Sequence, residues 1–109
     1  KPQKLEIIFS GEIHEIDDFN REEGRSVILD HIGMHEHFLG NSEIRVFLKK
    51  HKETLKGVRQ IFCEIRLTSS SGRYVATDEG WGFAHAIRNT TEALEKQIRR
   101  EKETIRDRS

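Results

Sequence analysis

The chain has 109 residues, of which 34% are hydrophobic and 35% are charged, so it can form one domain with a small core and a densely charged surface. Its 19 basic and 19 acidic side chains leave no net charge, so an RNA site would require segregation of charge onto one surface. The single cysteine, Cys63, excludes an internal disulfide framework and indicates a reducing compartment, and no apolar run is long enough to span a membrane.

The first part of the chain predicts a strand followed by a helix. Apolar residues recur at alternate positions in 4–10, which is typical of a strand with one buried face. A helix is expected around 22–31, although Gly24 and Gly33 interrupt the pattern and each glycine costs about 1 kcal/mol inside a helix. The segment 40–42, Gly-Asn-Ser, predicts a turn.

The middle of the chain predicts three strands joined by short connections. Apolar and polar residues alternate in 44–49 and, most clearly, in 58–68. A polar connection over 51–57 links these two strands, and a turn over 69–72 precedes a short strand over 73–77. Strands joined by such short connections pair in antiparallel fashion, so we expect these three to form a meander.

The stretch 78–102 has the strongest pattern in the chain and predicts an amphipathic helix. Asp78 and Glu79 would place negative charge at the positive amino end of that helix. On its exposed side, Glu95 and Arg99 stand at the spacing of four that favours an ion pair. The residues expected to face the core recur at spacings of three and four, and they are Phe83, Ala86, Ile87, Thr90, Leu94 and Ile98.

These elements give the order β-α-β-β-β-α. Their arrangement predicts an α+β fold, with a mostly antiparallel four-stranded sheet and two helices packed on one face. We expect a single domain over 4–103, followed by a charged tail over 104–109 that frays.

The sequence of the last helix resembles a known family, the ribosome hibernation promoting factors and ribosome-associated inhibitors. In that family an Ala-Ile pair is followed by a Leu-Glu-(Arg or Lys)-Gln-(Leu or Ile) segment and further basic residues. Here the pair is 86–87, and the segment is 94–98, Leu-Glu-Lys-Gln-Ile. The stretch 44–53 is also similar to the family's second strand, which often ends in lysines. Since the family has the element order predicted here, the resemblance extends through 4–103.

The resemblance implies a non-enzymatic factor with no cofactor and no small-molecule substrate. Members of the family lie between the head and body of the small ribosomal subunit, in the channel where messenger and transfer RNA would bind, and so inhibit translation. The implied partner is therefore the RNA of the small subunit, with no membrane role, and the implied location is the cytoplasm. Because only a short tail follows the last helix, the chain is similar to a short form or an amino-terminal domain of the family.

Two clusters of basic residues are the candidate RNA-binding side chains, because arrays of cations release counterions from phosphates and Arg suits bidentate phosphate contacts. Glutamates beside the second cluster could instead neutralise it, which would leave an ordinary solvated helix surface. The first helix departs from the family's Lys-Leu-Glu-Lys pattern and has only Arg21 and Arg25 as basic residues. The candidates are Lys49, Lys50 and Lys52 after the second strand, and Arg88, Lys96, Arg99, Arg100 and Lys102 on the last helix.

Within the second cluster, the helical pattern separates charge from core. Because Leu94 and Ile98 are expected to face the core, Lys96, Arg99 and Arg100 should point to solvent. The pattern therefore predicts that all three cations can be replaced by Glu with little loss of stability.

Metal binding and nucleophilic catalysis receive little support from the sequence. On a helix His31 and His35 would share a face at a zinc-ligand spacing, but a third ligand is not evident and Gly33 interrupts the helix. The pattern favours pH-sensitive histidines, including His37, at a solvated helix end. Cys63 lies within an apolar strand face, where it should be a small hydrophobic residue rather than a reactive thiolate.

Two alternatives remain at this point. The run α-β-β-β-α also resembles double-stranded RNA-binding modules, although Asp78 and Glu79 would repel phosphate at the start of the last helix. A protein-interaction module or a homodimer is the other alternative, with Phe47 and Phe62 on the second face of the sheet as its surface. Trp81 could stack on a base, but an aromatic residue capping the sheet is favoured.

Overall fold

A computed structural model of the chain describes the backbone of residues 5–11, 18–53 and 59–108, and the side chains of 5–11, 21–50 and 60–106. The elements follow the predicted order, with a short 3-10 turn and a one-turn helix added after the first helix. They are β1 (Leu5–Gly11), α1 (Asp18–Ile32), the 3-10 turn (Gly33–His35), α2 (Glu36–Leu39), β2 (Ser42–Glu53), β3 (Arg59–Ser69), β4 (Arg73–Trp81) and α3 (Phe83–Arg108).

The four strands form one sheet in the order β1-β2-β3-β4. The three strands β2, β3 and β4 pair in antiparallel fashion, while β1 runs parallel to β2. The parallel pair arises because α1 connects β1 to β2 as a crossover, which returns the chain in its original direction. The predicted α+β fold with a mostly antiparallel sheet is confirmed, and the sheet is mixed.

One face of the sheet carries the core. In register, Ile7 pairs with Ile44, and Val46 pairs with Ile65, which in turn pairs with Ala76. These side chains are buried beneath α1 and α3, so both long helices lie on the same face, as predicted. The largest fully buried side chains from these elements include Ile28, Ile32, Leu48, Leu67, Ile87, Leu94 and Ile98.

Gly24 lies inside α1, which begins at Asp18 rather than near residue 22. A Cβ atom at Gly24 would lie 2.9 Å from Cδ1 of Ile87 on α3 and 3.5 Å from the Phe9 ring. A larger residue here would require the buried Ile87 methyl group to shift, so the glycine favours the close approach of α1 to α3. This packing explains why a residue of low helix propensity stands in the helix.

The boundary between β4 and α3 differs from the prediction. Asp78 and Glu79 lie on β4, which continues to Trp81, and the first turn of α3 contains no acidic residue. The prediction that they begin the helix is therefore wrong. Gly80 allows β4 to lie against the start of α3, since a Cβ there would come 2.5 Å from the backbone nitrogen of Ala86. Gly82, at a φ of 101°, then turns the chain, so the helix begins at Phe83.

Two further elements are longer than predicted. The strand β2 continues to Glu53 through an irregularity between Lys50 and Glu53, into the stretch expected to be a connection. The helix α3 continues to Arg108 and includes most of the predicted tail. Among the described residues, none of the helices has the length and apolar composition needed to cross a membrane.

Candidate nucleic-acid interface

The outer side of α3 exposes the basic residues that the sequence singled out. Leu94 and Ile98 are fully buried against the sheet, as predicted. Because helical residues one turn apart share a face, burial of these positions directs the intervening cations outward. The exposed cations of this side are Arg88, Lys96, Arg99 and Arg100, and Lys102 is half-buried.

These cations separate onto two flanks of α3. Lys96 and Arg100, one helical turn apart, line a shallow cleft between α3 and the β4 edge. Asp78 and Glu92 also line it, so this flank has mixed charge. Arg99 and Lys102 line a second cleft on the side of α1 and α2, together with His35, Glu103 and Arg106.

The first flank is held against β4 by side-chain amides. Asn89 Nδ2 donates a 2.9 Å hydrogen bond to the backbone oxygen of Glu79, and Gln97 Nε2 donates a 2.7 Å bond to that of Val75. Because β4 is at the edge of the sheet, its outward carbonyl groups lack a neighbouring strand. The two amides satisfy these carbonyls and fix the position of Lys96 and Arg100 relative to the sheet.

The second flank contains a buried carboxylate at Glu95, whose residue is 7% exposed. Its Oε1 lies 3.1 Å from His31 Nδ1, and its Oε2 lies 2.9 Å from His35 Nε2. Arg99 Nη2 donates to the same Oε2 at 3.1 Å, which confirms the ion pair predicted from the spacing of four. Three donors from two helices and the 3-10 turn therefore converge on one carboxylate, the arrangement that a buried charge requires.

Lys102 extends this arrangement on the far side of the imidazole. Its Nζ lies 3.0 Å from His35 Nδ1 and 5.8 Å from the centroid of the Phe38 ring. The aromatic ring favours a nearby cation. We call the set His31, His35, Glu95, Arg99 and Lys102 the Glu95 network.

The Glu95 network changes the acidity of its carboxyl group. Burial alone would raise the pKa of Glu95, but hydrogen bonds from His35 and His31 and the charge of Arg99 outweigh this effect and hold the pKa below its usual range. Glu95 is therefore ionised at neutral pH, and its negative charge holds the side chains of Arg99, His31 and His35 in place.

The basic residues after strand β2 do not join the α3 surface. Lys49 pairs in register with Phe62 and is exposed on the face of the sheet opposite the helices. Lys50 continues the inward-facing row of Leu48 and is half-buried. The backbone of Lys52 lies in β2, and its side chain is outside the described residues.

The histidines and the cysteine singled out in the sequence have structural rather than metal-binding or catalytic surroundings. His31 and His35 both bind Glu95, and His37 is exposed. Within the described side chains, no group of three or more His, Cys, Asp or Glu residues has an arrangement suited to a metal ion. Cys63 is fully buried, and this burial raises the pKa of its thiol to about 11, so it packs as a hydrophobic residue as its strand position predicts.

The open face of the sheet carries partly exposed apolar residues. Phe47 on β2 is 37% exposed, Val75 on β4 is 49% exposed, and Trp81 at the end of β4 is 55% exposed. Phe62 on β3 is half-buried on the same face. Trp81 lies at the end of β4 rather than at the start of the last helix and is more than half exposed, so the interpretation that it caps the sheet stays a prediction.

Sequence reasoning missed the Glu95 network, although a signal was present. Ile87, Thr91 and Glu95 stand at successive spacings of four, and all three are buried. This row lies beside the apolar stripe, so the core face of α3 is wider than its apolar residues indicate. The spacing of His31 and His35 marked the facing residues, but nothing in the sequence connected them with Glu95.

The fold is that of a small α+β domain, and one side of α3 exposes several basic residues. A family model described as hibernation factor Hib, C-terminal domain, matches residues 7–109, and the chain belongs to this family. The resemblance to ribosome hibernation factors is thereby confirmed, although the matching model describes a C-terminal domain rather than the amino-terminal domain that the sequence suggested. Membership of this family supports a ribosome-associated role in the regulation of translation.

Solved structures share the fold over most of the chain. A ribosomal subunit interface protein from Coxiella burnetii aligns with a TM-score of 0.65 at 15% identity, covering 89% of this chain and 97% of that chain. The N-terminal domain of Protein Y from Thermus thermophilus aligns with a TM-score of 0.64 at 19% identity, covering 90% and 98%. At these identities the two structures establish the fold alone. No curated protein matches the sequence significantly.

Proposed function

We propose that this chain binds the RNA of the small ribosomal subunit and inhibits translation by occupying the channel for messenger and transfer RNA. Its membership of a hibernation-factor family supports the ribosome as partner. The Coxiella burnetii protein of the same fold is described as a ribosomal subunit interface protein, which agrees with this proposal. The mechanism is steric exclusion by a non-enzymatic cytoplasmic factor, with the attachment supplied by electrostatic attraction.

The observation that carries the proposal is the exposed basic side of α3. Lys96 and Arg100 have no part in the core, and Leu94 and Ile98 support them from beneath. A rigid helix presents such cations at fixed intervals, which suits the regular spacing of backbone phosphates. The sequence of α3 contains seven Lys or Arg and five Asp or Glu residues, so binding depends on the position of the cations more than on their excess.

The Glu95 network reduces the repulsion that the Glu95 carboxylate would otherwise exert on RNA phosphates. Glu95 is buried and bonded to Arg99, so its negative charge does not face a phosphate directly. Arg99 bonds to this carboxylate through Nη2 and remains exposed, which leaves other guanidinium donors directed to solvent. The acidic residues that remain near these cations are Asp78 and Glu92 in the first cleft, Glu103 in the second, and the exposed Glu101 on α3.

Lys49 requires a separate role in this proposal. It lies on the sheet face opposite α3, so one flat surface of RNA cannot contact both. A folded ribosomal RNA can surround a small domain, and Lys49 would then meet a different strand. We therefore assign the main attachment to α3 and a secondary contact to the end of β2.

Co-sedimentation with purified ribosomal subunits tests the proposal. The chain should sediment with small subunits at low salt and be released as salt rises, with much weaker binding to large subunits. Prior loading of small subunits with messenger and transfer RNA should block binding if the channel is the site. Equal binding to both subunits, or equal binding to naked duplex RNA, would contradict it, and the latter result would favour a general double-stranded RNA-binding domain.

A second candidate function is protein interaction through the open face of the sheet. Phe47, Val75 and Trp81 are partly exposed there, and apolar groups of this kind favour a protein partner or a second copy of the chain. Some of the charges on this face are paired within their own strands, with Arg45 bonded to Glu43 and Arg66 to Glu64. The double substitution Phe47→Ser and Phe62→Ser should change the oligomeric state if this face forms a homodimer, and should leave ribosome binding intact if α3 is the RNA site.

A further inference from the structure

The contact between His35 and Lys102 fixes the protonation state of the imidazole. A lysine ammonium group has three donors and no acceptor, so a 3.0 Å contact with His35 Nδ1 requires a lone pair on that nitrogen. The remaining ring nitrogen, Nε2, then carries the ring proton and donates a 2.9 Å hydrogen bond to Glu95 Oε2. In this geometry His35 is neutral, and Lys102 is held by it.

Protonation of His35 is incompatible with this contact. A proton on Nδ1 would face the ammonium of Lys102 with no acceptor between them, because His35 is only 5% exposed. Two like charges in direct contact repel each other, and the burial of His35 limits the screening of this repulsion by water. The contact with Glu95 survives protonation, since Nε2 donates in both states, so Lys102 is the group that must move.

We infer that His35 is a proton-controlled lock on Lys102, which releases this cation to RNA phosphates when the imidazole is protonated. The inference rests on the proposed function, because the released lysine adds to the α3 surface. Histidine side chains change charge between about pH 5 and 8, within the range of cellular acidification. Lys102 is half-buried over Phe38 and near the solvent, so its flexible side chain can leave without unfolding of α3.

The charged groups around His35 support this assignment. Glu95 favours the imidazolium form, while Lys102, Arg99 and Arg106 from α3 oppose it. Glu103 is the remaining acidic residue of the same cleft. On the other side, His31 of α1 shares the Glu95 carboxylate. The flanking residues on α2, Glu36 and His37, are half-buried and exposed respectively. Protonation of His35 is thus favoured by the Glu95 carboxylate and opposed by the cations that face it, of which Lys102 is the one in direct contact.

Protein NMR tests the lock without any RNA. At pH 8 the nitrogen shifts of His35 should show a neutral ring with its proton on Nε2, and the Lys102 Nζ signal should be protected from exchange with solvent. As pH falls to 5.5, protonation of His35 should coincide with loss of that protection. A ring protonated on Nδ1 at pH 8, or a Lys102 signal that does not respond, would overturn the inference.

Two substitutions distinguish the release of Lys102 by His35 from effects of other groups that titrate in the same pH range. In His35→Gln the amide can donate to Glu95 and accept from Lys102 without titrating, so the Lys102 signal should stay constant with pH. In the matched control, His31→Gln, a histidine is lost from the same carboxylate but not from Lys102, so the response should remain. Persistence of the response in a folded His35→Gln variant would overturn the inference. Should that variant fail to fold, the NMR result on the wild type still decides.

Binding to small ribosomal subunits provides the functional readout. Between pH 8 and pH 6 the wild type should gain roughly fivefold in affinity, the factor expected of one or two added charge-assisted contacts. The gain should be lost in His35→Gln and in Lys102→Met. If no ribosome binding occurs at any pH while Lys102 still responds in the NMR experiment, the proposed function fails and the lock stands. If binding occurs but does not vary with pH in the wild type, the release of Lys102 to RNA is contradicted.

Discussion

His35 Nε2 lies 2.9 Å from the carboxylate of Glu95, although the two residues are 60 positions apart in the chain. This bond, with those from His31 and Arg99, joins the segment after α1 to the middle of α3. Replacement of Glu95 by Ala would leave the buried His35 donor without its acceptor, so we predict a loss of about 1–3 kcal/mol in the free energy of unfolding. Urea unfolding at pH 7 measures this change in the free energy of unfolding. The control Glu92→Ala, at an exposed position, should change stability by less than about 0.5 kcal/mol.

The depressed pKa of Glu95 predicts a specific loss of stability in acid. Because the folded state holds this pKa below the unfolded value of about 4.3, ionised Glu95 stabilises the fold fully above that pH. The stabilisation should fall as pH drops through and below this value. Thermal midpoints measured between about pH 6 and pH 3 should fall less steeply in Glu95→Gln than in the wild type. Parallel curves would show that Glu95 does not contribute to acid unfolding.

Substitutions at two glycines should have opposite effects. Gly24→Ala places a Cβ 2.9 Å from Ile87 in the core, and this overpacking should outweigh the gain in helix propensity, with a net loss of up to about 2 kcal/mol. Gly33→Ala meets no atom within 4 Å, so it should gain about 0.4–1 kcal/mol from the reduced freedom of the unfolded chain. Thermal unfolding of both variants shows whether each substitution raises or lowers stability. A stabilised Gly24→Ala protein would contradict the close packing of α1 on α3.

The amides that hold the β4 edge should contribute measurably to stability. Removal of the Gln97 side chain leaves the Val75 carbonyl without its donor, and Asn89→Ala does the same at Glu79. Each substitution should cost about 0.5–1.5 kcal/mol. Hydrogen exchange gives a second readout, because loss of either amide should increase exchange in β4 more than in β2. Uniform acceleration across the sheet would indicate a global effect instead.

Much of the fold follows from periodicity in the sequence. Alternation over 58–68 and the three- and four-residue spacing of Leu94 and Ile98 each report one buried face, which local pattern alone can reveal. The start of α3 could not be predicted in this way. Aspartate and glutamate are common at helix starts, so Asp78 and Glu79 indicated one. However, Gly80 packs against Ala86 and β4 continues past them, and that contact depends on tertiary structure.

The candidate site was predictable only in part. The exposure of Lys96 and Arg100 follows from the helical pattern, whereas the division of the cations between two flanks depends on how α1 and β4 lie beside α3. Arg99 shows the difference most clearly. Its bond to the buried Glu95 means that Arg99→Glu would set two carboxylates together, so the expectation that all three cations can be reversed without cost does not hold at this position.

The salt dependence of binding to small ribosomal subunits tests the central claim that α3 attaches this chain to RNA. The double substitution Lys96→Gln and Arg100→Gln should leave the fold intact and reduce the slope of log affinity against log salt by about 1.4–1.8, since each lost phosphate contact removes about 0.7–0.9. The control Arg45→Gln and Arg66→Gln removes the same charge from the opposite face of the sheet and should leave the slope unchanged. An unchanged slope in the α3 variant, or an equal reduction in the control, would contradict the claim.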